Sequence, residues 1–162
     1  MALPAKVSKF LDGVKHELIE HRTVYTAYDK SATLKIPQKI VGKTLVVKFD
    51  NEAGLVLIPA NKNLDKLKLK KVISIWRKKN PKSFDFVKEA WMKKNLKGVK
   101  LGAVPPFGSL FKFPTFADKS LLKESEIFIN SGNYDCSIKV TPAVFKKLLP
   151  DLIIGNFSKS RK

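Results

Sequence analysis

Two features of the chain pair residue type with spacing in a way that suits chemistry. One is the run Gly102-Ala103-Val104-Pro105-Pro106-Phe107-Gly108, and the other is Lys43 at the head of an apolar stretch. Glycines at the edges of the run let a ligand approach the backbone, while paired prolines fix φ and remove amide donors. Such a rigid loop, poor in side chains, suits a small pocket that selects by size and works with backbone groups. Gly/Pro clusters also make ordinary turns, so the run draws its weight from its surroundings. Lys43 follows Gly42 in Ile40-Val41-Gly42-Lys43-Thr44-Leu45-Val46-Val47. Turned inward, its ammonium must meet an anion or a carbonyl, because a buried unpaired charge is expensive. Turned to the rim it snorkels, and both readings stand open.

Other chemistries find little support. His16 and His21 sit five residues apart and the single cysteine, Cys136, lies far along the chain, so no metal-ligand set closes. No Gly-x-Ser-x-Gly elbow exists, and neither histidine has an evident carboxylate to orient it. The carboxylates are few and scattered, which leaves a paired acid/base site without a basis. No Gly-rich phosphate fingerprint follows a strand, so no nucleotide cofactor is expected. Cys136 falls on the apolar side of the alternating stretch Cys136–Val140, as a core residue or a reactive thiol. One cysteine cannot form an internal disulfide, and no apolar run reaches spanning length, so a cytoplasmic protein is expected.

Charge is the second large fact. The chain carries 32 Lys and Arg against 14 Asp and Glu, a formal net charge of +18. Residues 62–100 alone hold 14 basic residues and 3 acidic ones. Lysines on solvated helix faces would account for part of this. Concentration in one block favours contact with a polyanion, since Lys and Arg neutralising phosphates supply most non-specific affinity for nucleic acid. Lys70, Lys71, Arg77, Lys78, Lys79, Lys93 and Lys94 are the candidate RNA contacts. Trp76 and Trp91 interleave with these lysines, as stacking platforms or, by their helical register, as core anchors.

The elements that would position these residues follow from periodicity and caps. Ala5–Leu18 reads as an amphipathic helix and His21–Tyr25 as a short strand. Thr26 opens a helix that stops before Pro37. Ile40–Phe49 and Leu55–Ala60 are strands joined by a turn at Asp50–Gly54, expected at the centre of a sheet. Asp65–Lys79 is helical, and Ser83 is expected to cap a second helix, Phe84–Leu96. Strands follow at Phe113–Ala117, Glu126–Ile129 and Cys136–Val140, then a helix capped by Thr141 with Pro142 at its first position. Residues 158–162 are expected to form a frayed basic tail behind one domain, 1–157. The order is mixed and lacks strand–helix alternation, which predicts an α+β fold with a mixed, mostly antiparallel central sheet and helices around it.

Taken in order, His21, Thr26-Ala27, Ile40–Val46, Ile58-Pro59-Ala60, Leu64-Asp65, Gly102–Gly108, Asp118–Leu122 and Asn130-Ser131-Gly132 resemble the YbaK-type aminoacyl-tRNA deacylases. That group includes the editing domain inserted in many bacterial prolyl-tRNA synthetases. The resemblance implies a YbaK-like fold and metal-free hydrolysis of the ester joining a wrong amino acid to the 3′-terminal adenosine of tRNA. Alanyl- or cysteinyl-tRNA for proline would be the substrate. It implies that Lys43, beside Thr44, holds the terminal nucleotide or carbonyl, and that Gly102 positions water. Ala103, Val104, Pro105, Pro106, Phe107 and Gly108 would line the aminoacyl pocket, with Asn130, Ser131 and Gly132 on its second turn and His21 at its edge. Ala103 stands where some relatives have a second glycine. The implied partners are the tRNA acceptor end and an aminoacyl-tRNA synthetase, with the protein a monomer or weak homodimer. Two rival readings keep the fold without the reaction: an RNA-binding module, and a domain that docks on a synthetase.

Overall fold

In the computed structural model, which describes residues 3–161, the chain opens with α1 (Ala5–Phe10), β1 (Glu17–Glu20) and α2 (Ala27–Leu34). It continues through the hairpin β2 (Gly42–Phe49) and β3 (Glu52–Pro59), then β4 (Lys62–Leu64), α3 (Lys66–Arg77), β5 (Phe84–Phe86) and α4 (Glu89–Asn95). The second half adds β6 (Thr115–Asp118), α5 (Lys119–Leu122), β7 (Ile127–Asn130) and β8 (Cys136–Val140). It closes with α6 (Pro142–Leu148), β9 (Ile153–Gly155) and β10 (Ser158–Ser160).

The main sheet has the order β5-β2-β3-β6-β9. Its β5–β2 and β2–β3 pairings are antiparallel, while β6 joins β3, and β9 joins β6, in parallel. A second sheet, β1-β8-β7, is antiparallel throughout, as is the β10–β4 pair. The fold is therefore α+β with a mixed central sheet, as the sequence predicts.

Alternation along β2 sends its side chains to two different cores. Val47 and Phe49 pack with Ile58, Leu69, Ile73 and Phe157 under α3. Val46 turns the other way, to Leu55, Leu96 and Val104, under α4 and the glycine–proline loop. A third cluster fills the space towards the smaller sheet, where Val7 and Leu11 meet Phe107, Leu121, Ile129, Ile138 and Phe145. Among the described residues no helix is long and apolar enough to cross a membrane.

Several local expectations hold for their stated reasons. The Thr26 hydroxyl accepts from the Asp29 amide, and that of Thr141 accepts from Val144, each satisfying a donor at a helix start. Four differ. The Ala5–Leu18 helix stops early because Gly13 takes φ +75, after which Glu17–Glu20 pairs with Cys136–Lys139. Residues 21–25, expected as a strand, form a bend instead. Ser83 caps no helix: its amide donates to the Asp50 carboxylate, and Phe84–Phe86 is drawn onto the edge of β2. Pairing with a sheet edge outweighs helical periodicity there, and the helix begins only at Glu89. The end of the chain is not frayed, because Ser158–Ser160 pairs with Leu64–Lys62. The Asp118 carboxylate anchors that turn, accepting from the Phe157 amide at 2.7 Å and from the Ser158 and Ser120 hydroxyls. Lys162 lies outside the described residues.

Candidate functional site

The two sheets meet where Val41, just before β2, bridges Phe128 of β7 in parallel. Beyond that bridge the strands part. Lys43 and Asn130 each stand two residues past it, so the fork carries both to the same level. Asn130 works both ends of its amide across this gap. Its Nδ2 donates to the Val104 carbonyl at 3.2 Å, and its Oδ1 accepts from the Lys30 ammonium at 2.7 Å.

Lys30 comes from α2, whose inward side is Ala27, Lys30, Ser31 and Leu34, a spacing of three and four residues. Only 4 % of Lys30 is exposed. Burial lowers its pKa to about 8, with the Cys136 sulfur opposing in part. Among the described residues no carboxylate forms an ion pair with it.

The glycine–proline loop is pinned from both sides. Gly132 adopts φ +99, donates its amide to the Ala103 carbonyl and accepts from the Lys100 amide, both at 2.8 Å. That positive φ is the reason glycine stands there. Gly102 is exposed, and its amide donates to the Tyr134 hydroxyl at 3.1 Å. The rest of the loop sinks into the core. Phe107 lies tilted against the rings of Phe10 and Phe145, and the Gly108 amide donates to the Thr115 hydroxyl. Pro105, Pro106, Phe107 and Gly108 are therefore scaffold behind the loop, and only Gly102 and Ala103 of the run line the cleft.

That cleft is bounded by Tyr25, Thr26, Lys30, Gly102, Asn130 and Tyr134, and its volume is about 10 Å³. This is room for roughly one water-sized atom. The Tyr25 and Tyr134 rings meet edge to face, 4.7 Å apart, at its mouth. A cavity of about 870 Å³ lies elsewhere, between Trp76, Phe113 and Ile154, and contains none of the candidate pocket residues.

The remaining candidates fall as follows. Lys43 shares a sheet side with its cross-strand partner Ile58, and its ammonium donates to the Lys62 carbonyl at 2.9 Å. Burial, then the nearby Arg161, lowers its pKa. Thr44 points to the opposite side, towards the loop, and its buried hydroxyl has no partner among the described residues. Ser131 is spent on the turn, donating to the Cys136 carbonyl at 2.7 Å and accepting from the Asn133 amide. His21 is tied at both nitrogens, to the Arg22 carbonyl at 2.7 Å and to the Ser137 hydroxyl at 2.8 Å. A carbonyl can only accept, so Nδ1 carries a proton.

The basic block divides between the two sides of the main sheet. Lys70, Lys71, Lys78 and Lys79 belong to α3 and its end, on the side away from the loop. Arg77 is no free cation. It is clamped between Asp50 at 2.7 Å and Glu52 at 2.6 Å and lies over the Phe49 ring. Lys93 and Lys94 project from α4 on the cleft side. Lys93, Lys97 and Lys100 border a groove of about 510 Å³ that shares Tyr134 with the cleft.

Sequence reasoning passed over Lys30, Tyr25 and Tyr134. A signal for Lys30 was present, since it occupies the small-residue stripe of an amphipathic helix. Nothing local marks the tyrosines, which meet only through folding.

No curated protein matches the chain. Several solved structures share its fold. One is a crystal structure of a hypothetical protein, with a TM-score of 0.80, 20% identity and coverage of 95% of this chain and 99% of that one. Another is of a "putative trans-editing enzyme for prolyl tRNA synthetase", with a TM-score of 0.80, 19% identity and 97% coverage of each chain. A third is a "putative signal transduction protein" from Marinobacter aquaeolei VT8, at TM-score 0.74 and 15% identity, covering 97% of this chain and 31% of that one. A model of the aminoacyl-tRNA editing domain matches residues 21–148, which include His21, Lys30, Lys43, the glycine–proline loop and Asn130. By that match the chain belongs to the aminoacyl-tRNA editing domain family.

Proposed function

We propose that this protein removes a small, wrongly attached amino acid from the 3′ end of a tRNA by hydrolysing its ester, with tRNA for proline carrying alanine or cysteine as substrate. The single observation that carries this reading is the pinned loop. Asn130 and Gly132 hold the Val104 and Ala103 carbonyls, and so fix Gly102 beside a hole with room for one oxygen atom. An aminoacyl ester is already activated, so orienting one water and stabilising a developing oxyanion is enough. Neither imidazole nor carboxylate is needed as a base if the vicinal ribose hydroxyl relays the proton.

Size selection also has a physical basis. Binding discriminates one methylene by only about 1–3 kcal/mol, so a synthetase mischarges close relatives and a cramped second site must sort them. Lys43 would hold the phosphate of the terminal nucleotide, its ammonium leaving the Lys62 carbonyl on the far side of β2 to reach it. The lysines of α4 would guide the acceptor stem by its backbone. An associated synthetase would deliver the tRNA, and the protein would act as a monomer or weak homodimer.

Incubating the purified protein with a panel of mischarged tRNAs tests the proposal. Ester loss faster than in buffer is expected for at least one small amino acid; none, with the protein folded, overturns it. A second reading, an RNA-binding module without the reaction, is favoured by the Tyr134 hydroxyl occupying the Gly102 amide. It requires tight, salt-sensitive tRNA retardation and no deacylation.

A further inference from the structure

We propose that Lys30 is a further catalytic residue of the deacylation just described, its ammonium donating to the ester carbonyl oxygen as that oxygen gains charge. The proposal rests on the editing reading and deepens it.

An ammonium has three donors, and Lys30 uses one, on a neutral amide oxygen. Almost fully buried and without a carboxylate beside it, the group lacks the counter-charge that buried cations ordinarily have. A lysine kept only for packing would serve worse than methionine. The missing charge must come from a ligand, and the size of the hole selects which one. About 10 Å³ beside Lys30 and Gly102 admits a single oxygen. A phosphate or a side-chain carboxylate is too large for it. Lys43, by contrast, is turned to the Lys62 carbonyl on the other side of β2.

The step balances without a cofactor. Water oxygen adds to the ester carbonyl carbon, and the carbonyl π pair moves onto the oxygen facing Lys30. The proton lost by water passes through the vicinal ribose hydroxyl to solvent. The pair then returns, the carbon–oxygen ester bond breaks, and the ribose oxygen leaves and takes a proton. Lys30 keeps its own proton throughout, so the ammonium is the active form.

The titratable groups around Lys30 are the Cys136 thiol from β8 and the Tyr25 and Tyr134 phenols at the cleft mouth. Burial holds the Cys136 thiol above its ordinary range, hence neutral, and Glu20 and Asp135 act on that sulfur in the same direction.

The test uses whichever mischarged tRNA the wild-type protein cleaves fastest, in single turnovers from pH 6 to about 10. Lys30→Met is expected to lower kcat about 100- to 1,000-fold, as loss of one oxyanion donor does, with KM within about threefold. The wild-type acceleration over buffer is expected to fall as pH rises through about 8, where the ammonium deprotonates. Activity of Lys30→Met within about threefold of wild type overturns the proposal. So does an acceleration that rises through the same range, which would make the neutral amine a base. If Lys30→Met fails to fold, the wild-type profile alone decides. Wild type cleaving no member of the panel sinks the editing reading itself, a result distinct from either.

Discussion

Lys30 and Asn130 meet at 2.7 Å across a separation of 100 residues, and the same asparagine amide holds the Val104 carbonyl. One side chain thus sets both the cation and the loop of the cleft. Changing it should disturb both.

Asn130→Ala strands a buried ammonium and a loop carbonyl together. A lost partner for a buried polar group costs about 1–3 kcal/mol, more for a charge, so a stability loss of about 3 kcal/mol is expected by denaturant melts. Adding Lys30→Met should restore part of it, because the stranded charge goes with it. A double mutant no more stable than Asn130→Ala would mean that the pair is not coupled.

Lys43→Ala should act on binding. The half-buried ammonium donates to one carbonyl between β2 and β4, so the melting temperature should change little. If Lys43 meets the terminal phosphate, kcat/KM falls at least about tenfold, chiefly through KM. Unchanged steady-state constants would remove it from the substrate.

Reversing charge on the two sides of the main sheet should separate RNA contact from ordinary surface. Lys93→Glu with Lys94→Glu, on the helix whose Lys93 borders the groove that shares Tyr134, should weaken tRNA binding and flatten its salt dependence. Lys70→Glu with Lys71→Glu, on the other side, should do less. Equal losses in gel retardation would point to diffuse attraction.

Arg77→Met should damage folding more than binding. The Arg77 guanidinium beside Asp50, then the Ser83 and Lys82 amides, hold the Asp50 carboxyl down to about 2. A depressed carboxyl contributes stability that is complete above its unfolded value near 3.8 and is lost as pH falls towards about 2. Thermal melts should therefore steepen in acid dependence between about pH 4 and 2, and Asp50→Asn should remove part of that slope. An identical slope in Asp50→Asn would refute the assignment.

The hairpin and both threonine caps could be read from sequence because their causes are local: alternation, a turn, a hydroxyl before a helix. Phe84–Phe86 could not, because its partner strand lies more than thirty residues upstream and pairing overrode an adequate helical stripe. The loop, Asn130 and Gly132 could be brought to one pocket only through the family resemblance, since nothing local says that Asn130 would hold the Val104 carbonyl. The resemblance puts Ser131 on the pocket turn and His21 at the pocket edge, and the fold ties both side chains to neighbouring turn and strand groups. Lys30 stood in plain sight and was passed over, since lysine on a helix normally means solvent.

Strand β10 closes on β4, and β9 lies beside β6, so residues near 64 and 118 wait for residues 153–160 before their edges are covered. On a translating ribosome the sheet centre would emerge well before these closing segments. Until they arrive, the nascent chain displays unpaired strand borders, which leaves it open to aggregation and chaperone capture.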